Sequence, residues 1–413
     1  MEKDLDSFHG HELLDIVCGL IRIPSENPPG REEAAARYVL KLLRDEGIEA
    51  ELQWAAPQRP NVVARLKGTA EGPALLYNGH LDVVPAGEGW SEDPFAAVVR
   101  GGEMIGRGAA DMKSGVAAML YAAILLHRRG CPFAGELLLL FNVDEERENA
   151  GMRHFLRSGV HADYAVIGEP TGLGICTAHK GVGRYRIRTA GVAGHAAKVL
   201  EPDNAIPKMA ALISALEPLR SRLKESADPL LGYATLNVTQ IKGGTAPNIV
   251  PQHCEIEVDR RVIPGETAEQ VLKQLKEALN AASGAGVSGG LSAGAGSGEG
   301  LGEIAGEVTY EVDDYLFIPA STIPQDHELV QALVDATCDV LGKPSAIGIF
   351  EATCEAPFLS IDRGIPTIIF GPGSLDQAHV KDERVPVRQI ADAAKVYMQL
   401  AMRLLQQQPL QEE

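Results

Sequence analysis

The sequence predicts an α/β protein: a layered α/β/α domain on a mostly parallel sheet, with a smaller ferredoxin-like α+β domain inserted into it. Three observations carry this. Short apolar runs alternate with helical patterns near both ends of the chain, as in strands covered on both faces. Between them the runs give way to strands of strict apolar/polar alternation, which bury one face only. A chain of 413 residues also exceeds one ordinary core.

The stretch GREEAAARYVLKLLRDEG, Gly30 to Gly47, has helical periodicity and a glycine stop. Apolar runs follow in PALLYNGHLD, ELLLLFNVDEE and YAVIGEP, and again much later in IPTIIFGPG. Between the first two, IGRGAADMKSGVAAMLYAAILLH reads as a glycine-rich loop opening into a long apolar helix. From about Gly183 to Ile318 come the alternating strand RYRIRTAG, the helix NAIPKMAALISALEPLRSRLKES, the strands ATLNVTQIKGG and HCEIEVDRRV, the helix ETAEQVLKQLKEALNAA and the strand EVTYEVDDYL. That order, β-α-β-β-α-β, is a ferredoxin-like unit. The expected organisation is therefore a first domain over 1–183 and 319–413 with an insert over 184–318. Inside the insert, the Gly/Ala/Ser tract 280–303 reads as a flexible excursion. The helices DHELVQALVDATCDVLG and RQIADAAKVYMQLAMRLLQQQ complete the first domain.

The balance of 38 Lys+Arg against 56 Asp+Glu, a net charge of -18, argues against nucleic acid or an anionic membrane as partner. No cationic segment with an apolar core opens the chain, and no run of about 18 apolar residues occurs, so neither a signal peptide nor a membrane span is expected. The six cysteines are scattered, with no Cys-x-x-Cys pair. They read as reduced core residues of a cytoplasmic protein.

In open α/β sheets, ligand sites form outside the carboxyl ends of strands. Here the apolar runs end on His80 and Asp82, on Asp144, Glu145 and Glu146, and on Glu169, while GPGSLDQAHVKDE supplies His379 and the glycine-rich loop supplies Asp111. Singly, each has an ordinary explanation: a hydrogen-bonded core histidine, a helix N-cap, a solvated acidic turn. Together, carboxylates on one rim raise one another's pKa unless cations neutralise them. Two histidines and several carboxylates without thiolate suit zinc or a similar divalent metal. There are ligands enough for two ions if one carboxylate bridges, and Asp111, alone on its segment, is the natural bridge. If Glu145 and Glu146 leave the strand to different sides, one can ligate while the other stands over a bound water and carries its proton.

The segments GHLDVVPAG, GRGAADMKSG, DEE, GEPT, GVAGHAA followed by DNAI, GGTAPNIVP, DRRVIPGE and GPGSLDQAH run in order over nearly the whole chain. Together they resemble the motifs of the dinuclear zinc amidohydrolase and exopeptidase family, which includes acetylornithine deacetylase, succinyl-diaminopimelate desuccinylase, aminoacylase and glutamate carboxypeptidase. The resemblance implies that His80, Asp111 and Glu169 hold one metal and Glu146, Asp111 and His379 the other, with Zn2+ the expected ion and Co2+ or Mn2+ as alternatives. It makes Glu145 the general base and acid and Asp82 the residue that orients His80. The insert becomes a lid and dimerisation domain, in which His195 reaches the neighbouring subunit's site to steady the oxyanion and Arg261 and Asn248 bind the substrate. The implied activity is hydrolysis of the amide bond of an N-acyl amino acid by a metal-activated water, in a homodimer. A dipeptidase or carboxypeptidase on the same scaffold is the alternative, and an inactive metal-stabilised binding protein the remote one. The chain departs from the family in the turn DEERENAGM, where relatives carry a glycine-rich turn, and in FEATCEAPFL. There Thr353, Cys354 and Glu355 replace the usual polar turn beside the acyl or side-chain pocket.

Overall fold

The structure, a computed structural model, describes residues 10–198, 203–283 and 308–405. The chain divides into two compact units, one formed by Lys180–Ala320 and the other by the stretches on either side of it. The insert is thus wider at both ends than the expected 184–318, because its first strand already begins at Gly181. Nothing in HKGVG alternates, so the local pattern could not mark that start.

Along the first unit run α1 (Gly10–Ile21), α2 (Glu33–Asp45), β1 (Glu49–Ala56), β2 (Arg59–Lys67), β3 (Ala70–His80), α3 (Lys113–Arg128), β4 (Ala134–Asn142), α4 (Ala150–Arg157), β5 (Tyr164–Ile167) and β6 (Ile175–His179). The insert follows with β7 (Gly181–Ala190), α5 (Ala205–Arg222), β8 (Thr235–Gly243), β9 (His253–Val262), α6 (Ala268–Ser283) and β10 (Tyr310–Ile318). The chain then returns through β11 (Ser321–Thr322), α7 (Glu328–Leu341), β12 (Ile347–Phe350), α8 (Ala356–Ser360), β13 (Thr367–Ile369) and α9 (Val387–Leu404).

The large sheet of the first unit has the order β1-β2-β4-β3-β5-β13-β6-β11, with β12 beside β6. Its middle strands β4, β3, β5 and β13 are mutually parallel, while the β1–β2 hairpin joins antiparallel to β4. That hairpin was not expected from sequence. In the edge strand β1 no residue is fully buried, so it lacks the apolar run that marks the central strands. Helix α3 is apolar almost all round, and every residue from Lys113 to Leu126 is buried, as befits a helix enclosed by its own domain. It packs between α1, α9 and the sheet. Helix α9 is tied to the sheet by two tyrosines: Tyr77 donates to the Tyr397 carbonyl, and Tyr397 donates to the Phe370 carbonyl at 2.5 Å.

In the insert the antiparallel order β8-β9-β7-β10 is that of a ferredoxin-like sheet. One face is covered by α5 and α6 around Ile187, Leu212, Ile256, Leu275 and Leu279. On the other face Arg184, Arg186 and Arg188 of β7 stand in register with Asp259, Glu257 and Glu255 of β9. Arg186 and Arg188 donate to Glu257 and Glu255 at 2.9 and 2.7 Å. The period of two in RYRIRTAG therefore separates an apolar face from a ladder of opposite charges. Helix α6 takes in the first residues of the Gly/Ala/Ser tract, up to Ser283; the rest of that tract lies outside the described residues. Among the described residues no helix is long and apolar enough to cross a membrane, and all six cysteines are free.

Ile256 is fully buried at the centre of the insert's core. Ile256→Ala is expected to destabilise this unit by about 2–5 kcal/mol, read as a lower denaturant midpoint for the loss of its β-sheet signal.

Candidate metal centre

Strands β3, β4 and β5 reach one rim together. His80, the last residue of β3, pairs with Asn142, the last residue of β4, and Asn78 pairs with Ile167 at the end of β5. The start of α3 is drawn onto this rim by glycines. A Cβ on Gly115 would lie 2.2 Å from the Gly168 carbonyl oxygen, and Cβ atoms on Gly79 and Gly168 would lie 2.7 and 2.8 Å from the Met112 Cε. Only hydrogen at these positions lets Asp111, beside Met112, approach both His80 and the segment that carries Glu169.

The two oxygens of Asp111 are shared between two imidazoles. His80 Nε2 lies 3.0 Å from Oδ1 and His379 Nε2 lies 3.2 Å from Oδ2. Glu169 Oε1 is 3.9 Å from His80 Nε2, and Glu146 Oε1 is 3.1 Å from His379 Nε2. Ligand atoms of His80, Asp111 and Glu146 all lie within 4.8 Å of one another. Donors about 2.0–2.2 Å from one tetrahedral ion stand roughly 3.4 Å apart, so this imidazole and two carboxylates lie close enough to converge on a divalent cation. The floor is closed and one side open: the His80 side chain is 1% exposed and that of His379 50%. His379 itself sits at φ +61°, the left-handed region, which brings its ring back toward Asp111.

The electrostatics express the crowding. Hydrogen bonds donated to Asp111 and Glu146 push the His379 pKa up to about 10. Burial opposes charge on His80, yet its bond to Asp111 and the charges of Glu145 and Glu169 hold it well above the ordinary value. Burial would raise Asp111 too, and the two histidines instead hold it well below the usual range. For Glu145 and Glu169 the charge of His80 only partly offsets burial. Burial, then neighbouring carboxylates, pushes both well up.

Asp82 meets the His80 ring through its main chain and not mainly through its carboxylate. Strand β3 stops at His80, so alternation does not extend to Asp82. It is the Asp82 main-chain oxygen that lies 2.9 Å from His80 Nδ1, while the carboxylate is 3.8 Å away. The carboxylate instead accepts the main-chain N–H groups of Glu145 and Glu146, each at 3.2 Å. Those two glutamates leave β4 through a turn rather than by strand alternation, and Asp82 holds that turn.

Several residues at the rim have no contact assigned to them by the sequence, two of them, Cys354 and Glu355, being noted there only as a departure from the family. Glu383, four residues after His379 and buried, accepts from the main-chain N–H of Ala110 and Asp111 at 2.8 and 3.0 Å and from Arg107 at 2.5 Å. It ties the His379 segment to the Asp111 segment. Glu355, in the altered FEATCEAPFL stretch, is buried and accepts from Asn142 Nδ2 on both oxygens at 2.8 Å, while burial pushes its pKa up to about 8. Asn142 is itself held by Asn78 Nδ2 at 2.7 Å. Cys354 is buried beside it, its thiol pushed well up by burial and then by Glu169. The acidic spacing in AHVKDE was the only sequence signal for Glu383; Asn142 and Asn78 carried none.

His195, Asn248 and Arg261 belong to the insert. His195 pairs with Ile249 in a short bridge of Gly194–His195 with Ile249–Val250, and the Asn248 carbonyl accepts from Ala196 N at 3.0 Å. His195 and Asn248 are thus neighbours, both exposed. Arg261, near the end of β9, donates to Asp259 at 2.8 Å through Nε.

A rim of imidazoles and carboxylates on an α/β/α domain, with a ferredoxin-like insert between its halves, defines a class of metal-dependent hydrolases. Residues 76–403 match the sequence model of peptidase family M20/M25/M40, and the chain belongs to that family. It is a metal-dependent hydrolase of amide bonds. It is 33% identical over 375 residues, 89% of each chain, to an acetylornithine deacetylase of Photorhabdus laumondii subsp. laumondii. It is also 29% identical, over 94% of each chain, to an N-formyl-4-amino-5-aminomethyl-2-methylpyrimidine deformylase of Bacillus subtilis. Among solved structures, a family M20 metallo-carboxypeptidase from Sulfolobus solfataricus superposes with a TM-score of 0.76 at 18% identity, covering 94% of this chain and 98% of that one.

Gly115→Ala sets a methyl group against the Gly168 carbonyl. The expected result is a loss of about 1–3 kcal/mol together with weaker divalent-metal retention, checked by thermal unfolding and by metal analysis after dialysis.

Proposed function

We propose that this chain removes an acyl group from the nitrogen of an N-acylated amino acid or a closely similar small molecule, using two divalent ions. The observation that carries the reading is Asp111 meeting a different imidazole on each oxygen, with an acid beside each ring, an arrangement suited to a bridging ligand. His80, Asp111 and Glu169 would hold one ion and His379, Glu146 and Asp111 the other. Zinc suits this donor set best, and cobalt or manganese can replace it without changing the ligands. Such ions, when bound, lower the pKa of a coordinated water and polarise an amide carbonyl.

Glu145 is the proton carrier. It lies on the same turn as Glu146, within the electrostatic reach of His80 and Glu169, and it has neither imidazole as a hydrogen-bond partner. It takes the proton of the attacking water and delivers it to the departing nitrogen. Asp82 keeps that turn in place through the Glu145 and Glu146 main chain. Arg261 offers a planar fork for the substrate carboxylate, and Asn248 a polar contact. His195 steadies the oxyanion from a second copy of the chain. Support for a dimer comes from β8, an edge of the insert's sheet whose residues Asn237–Gly243 are all exposed, with Ile241 57% exposed. Such an edge invites pairing with its own kind. The two deacylase relatives match 89% and 94% of the chain, which favours a deacylase over a dipeptidase or carboxypeptidase. The free cysteines support a reducing, cytoplasmic setting.

The test is release of free amine from N-formyl, N-acetyl and N-succinyl amino acids and from dipeptides, with chelated enzyme before and after zinc addition. Zinc-dependent turnover of one acyl class is expected, and Glu145→Gln should abolish it while both ions stay bound; turnover confined to dipeptides makes the protein a peptidase. For the role of His195, inactive His195→Ala chains are mixed with inactive Glu145→Gln chains. Statistical heterodimers are expected to regain roughly a quarter of wild-type activity, since one site in each becomes complete. No recovery would place His195 outside the partner's site.

A further inference from the structure

We propose that Asn27, backed by Arg59, is a positioning residue for the Glu145–Glu146 turn, an inference that rests on the role proposed above for Glu145. Asn27, Glu32 and Arg59 all precede the residues matched by the family, which begin at residue 76.

The Asn27 amide joins two buried carboxylates. Its Nδ2 donates to Asp82 Oδ2 and to Asp144 Oδ1, both at 2.9 Å. Asn27, Asp82 and Asp144 are 3%, 0% and 2% exposed, so no solvent can take over this donor's work. Asp82 in turn receives the Glu145 and Glu146 main-chain N–H groups, and Asp144 is the residue immediately before them. One side chain therefore governs both ends of the peptide unit from which the two glutamates project.

The turn needs such a hold. Asp144 sits at φ +68° and Asn149 at φ +57°, left-handed conformations that cost any residue but glycine, though Asp and Asn less than most. The stretch DEERENAGM supplies no glycine before Gly151. Side-chain bonds do the holding instead. Asp144 Oδ2 accepts Ala150 N at 3.2 Å, its carbonyl accepts Asn149 N at 2.7 Å, and its Oδ1 also faces Arg59 at 2.9 Å. Arg59 is fixed from behind by Glu32, which is fully buried and receives Arg59 Nε at 3.1 Å on both oxygens.

Asn27 cannot drift, because its own backbone is stitched to the residues after His80. Asn27 N donates to the Val83 carbonyl at 2.9 Å, Val83 N to the Ser25 carbonyl at 3.0 Å, and Ser25 Oγ to the Leu81 carbonyl at 2.6 Å. Removing the amide leaves Asp82 and Asp144 facing each other across the gap it filled. Their repulsion then acts on the main chain that aims Glu145 and Glu146.

The experiment compares metal-loaded wild type with Asn27→Ala, Asn27→Asp, Arg59→Ala and Arg59→Lys. Two readouts are taken: hydrogen exchange in the segment 143–150, and kcat, KM and metal content on the substrate the wild type hydrolyses. The expected result for Asn27→Ala, Asn27→Asp and Arg59→Ala is faster exchange confined to that segment, with kcat down roughly 10- to 100-fold at near-normal KM and metal content. Arg59→Lys, which keeps the charge, should recover most of the loss. Folded variants with wild-type exchange and kcat would overturn the proposal. So would exchange raised evenly across the first unit, or activity lost only in proportion to metal. If the Asn27 variants do not fold, the Arg59 pair decides. If the wild type hydrolyses nothing in the panel, the proposed activity fails, and the exchange readout still judges the positioning role.

Discussion

Burying carboxylates next to one another is the constraint on which the rest of this structure depends. Asp82, Asp111, Asp144, Glu169, Glu355 and Glu383 are all buried at or around the ends of the parallel strands. Each ionised group out of water is costly unless something positive or hydrogen-donating meets it. The first unit answers in two ways. Asp82, Asp144 and Glu383 are supplied by the protein itself, through main-chain N–H groups, Asn27, Arg59 and Arg107. Asp111 is supplied by two imidazoles, and Glu169 and Glu145 are left with their pKa values pushed up. The first group is scaffold; the second is where added cations have most to contribute.

The fold makes this concentration mechanically possible. Parallel strands bring their carboxyl ends to a single rim, and a buried helix entering that rim must come close without a side chain in the way. Gly79, Gly115 and Gly168 provide that clearance around Met112. Behind the rim, α3 is enclosed on all sides, and Lys113 at its start donates to the Leu20 and Ile23 carbonyls at 3.0 and 2.8 Å, anchoring it to the end of α1. With burial as the first cause, the Lys113 pKa is lowered to about 7. A site whose donors are spread over five segments is thereby held by packed elements rather than by loops alone.

The insert follows a different logic. Its sheet faces α5 and α6 with an apolar side and presents a register of paired arginines and acids on the other. Those pairs satisfy one another across neighbouring strands, so the open face is polar without being short of partners. Arg261 shares that economy through Asp259.

Much of the fold and of the site can be read in the sequence because its determinants are local. Apolar runs of strand length, their interruption by His80, Glu145, Glu146 and Glu169, and the period-two pattern of RYRIRTAG each depend on a few adjacent residues. They place the chemistry at strand ends whatever the remainder of the chain does. The β1–β2 hairpin was missed because an edge strand lacks a continuous apolar run. What only the tertiary structure decided is the direction of the polar contacts: which Asp111 oxygen meets which imidazole, that the Asp82 carboxylate serves the Glu145–Glu146 turn while its main-chain oxygen meets the His80 ring, and that Asn27 joins Asp82 and Asp144 from 55 and 117 positions away. The physical reason is that a hydrogen bond depends on where the backbone goes once the strand has ended. That path is set by packing among segments distant in sequence, for which no local periodicity exists.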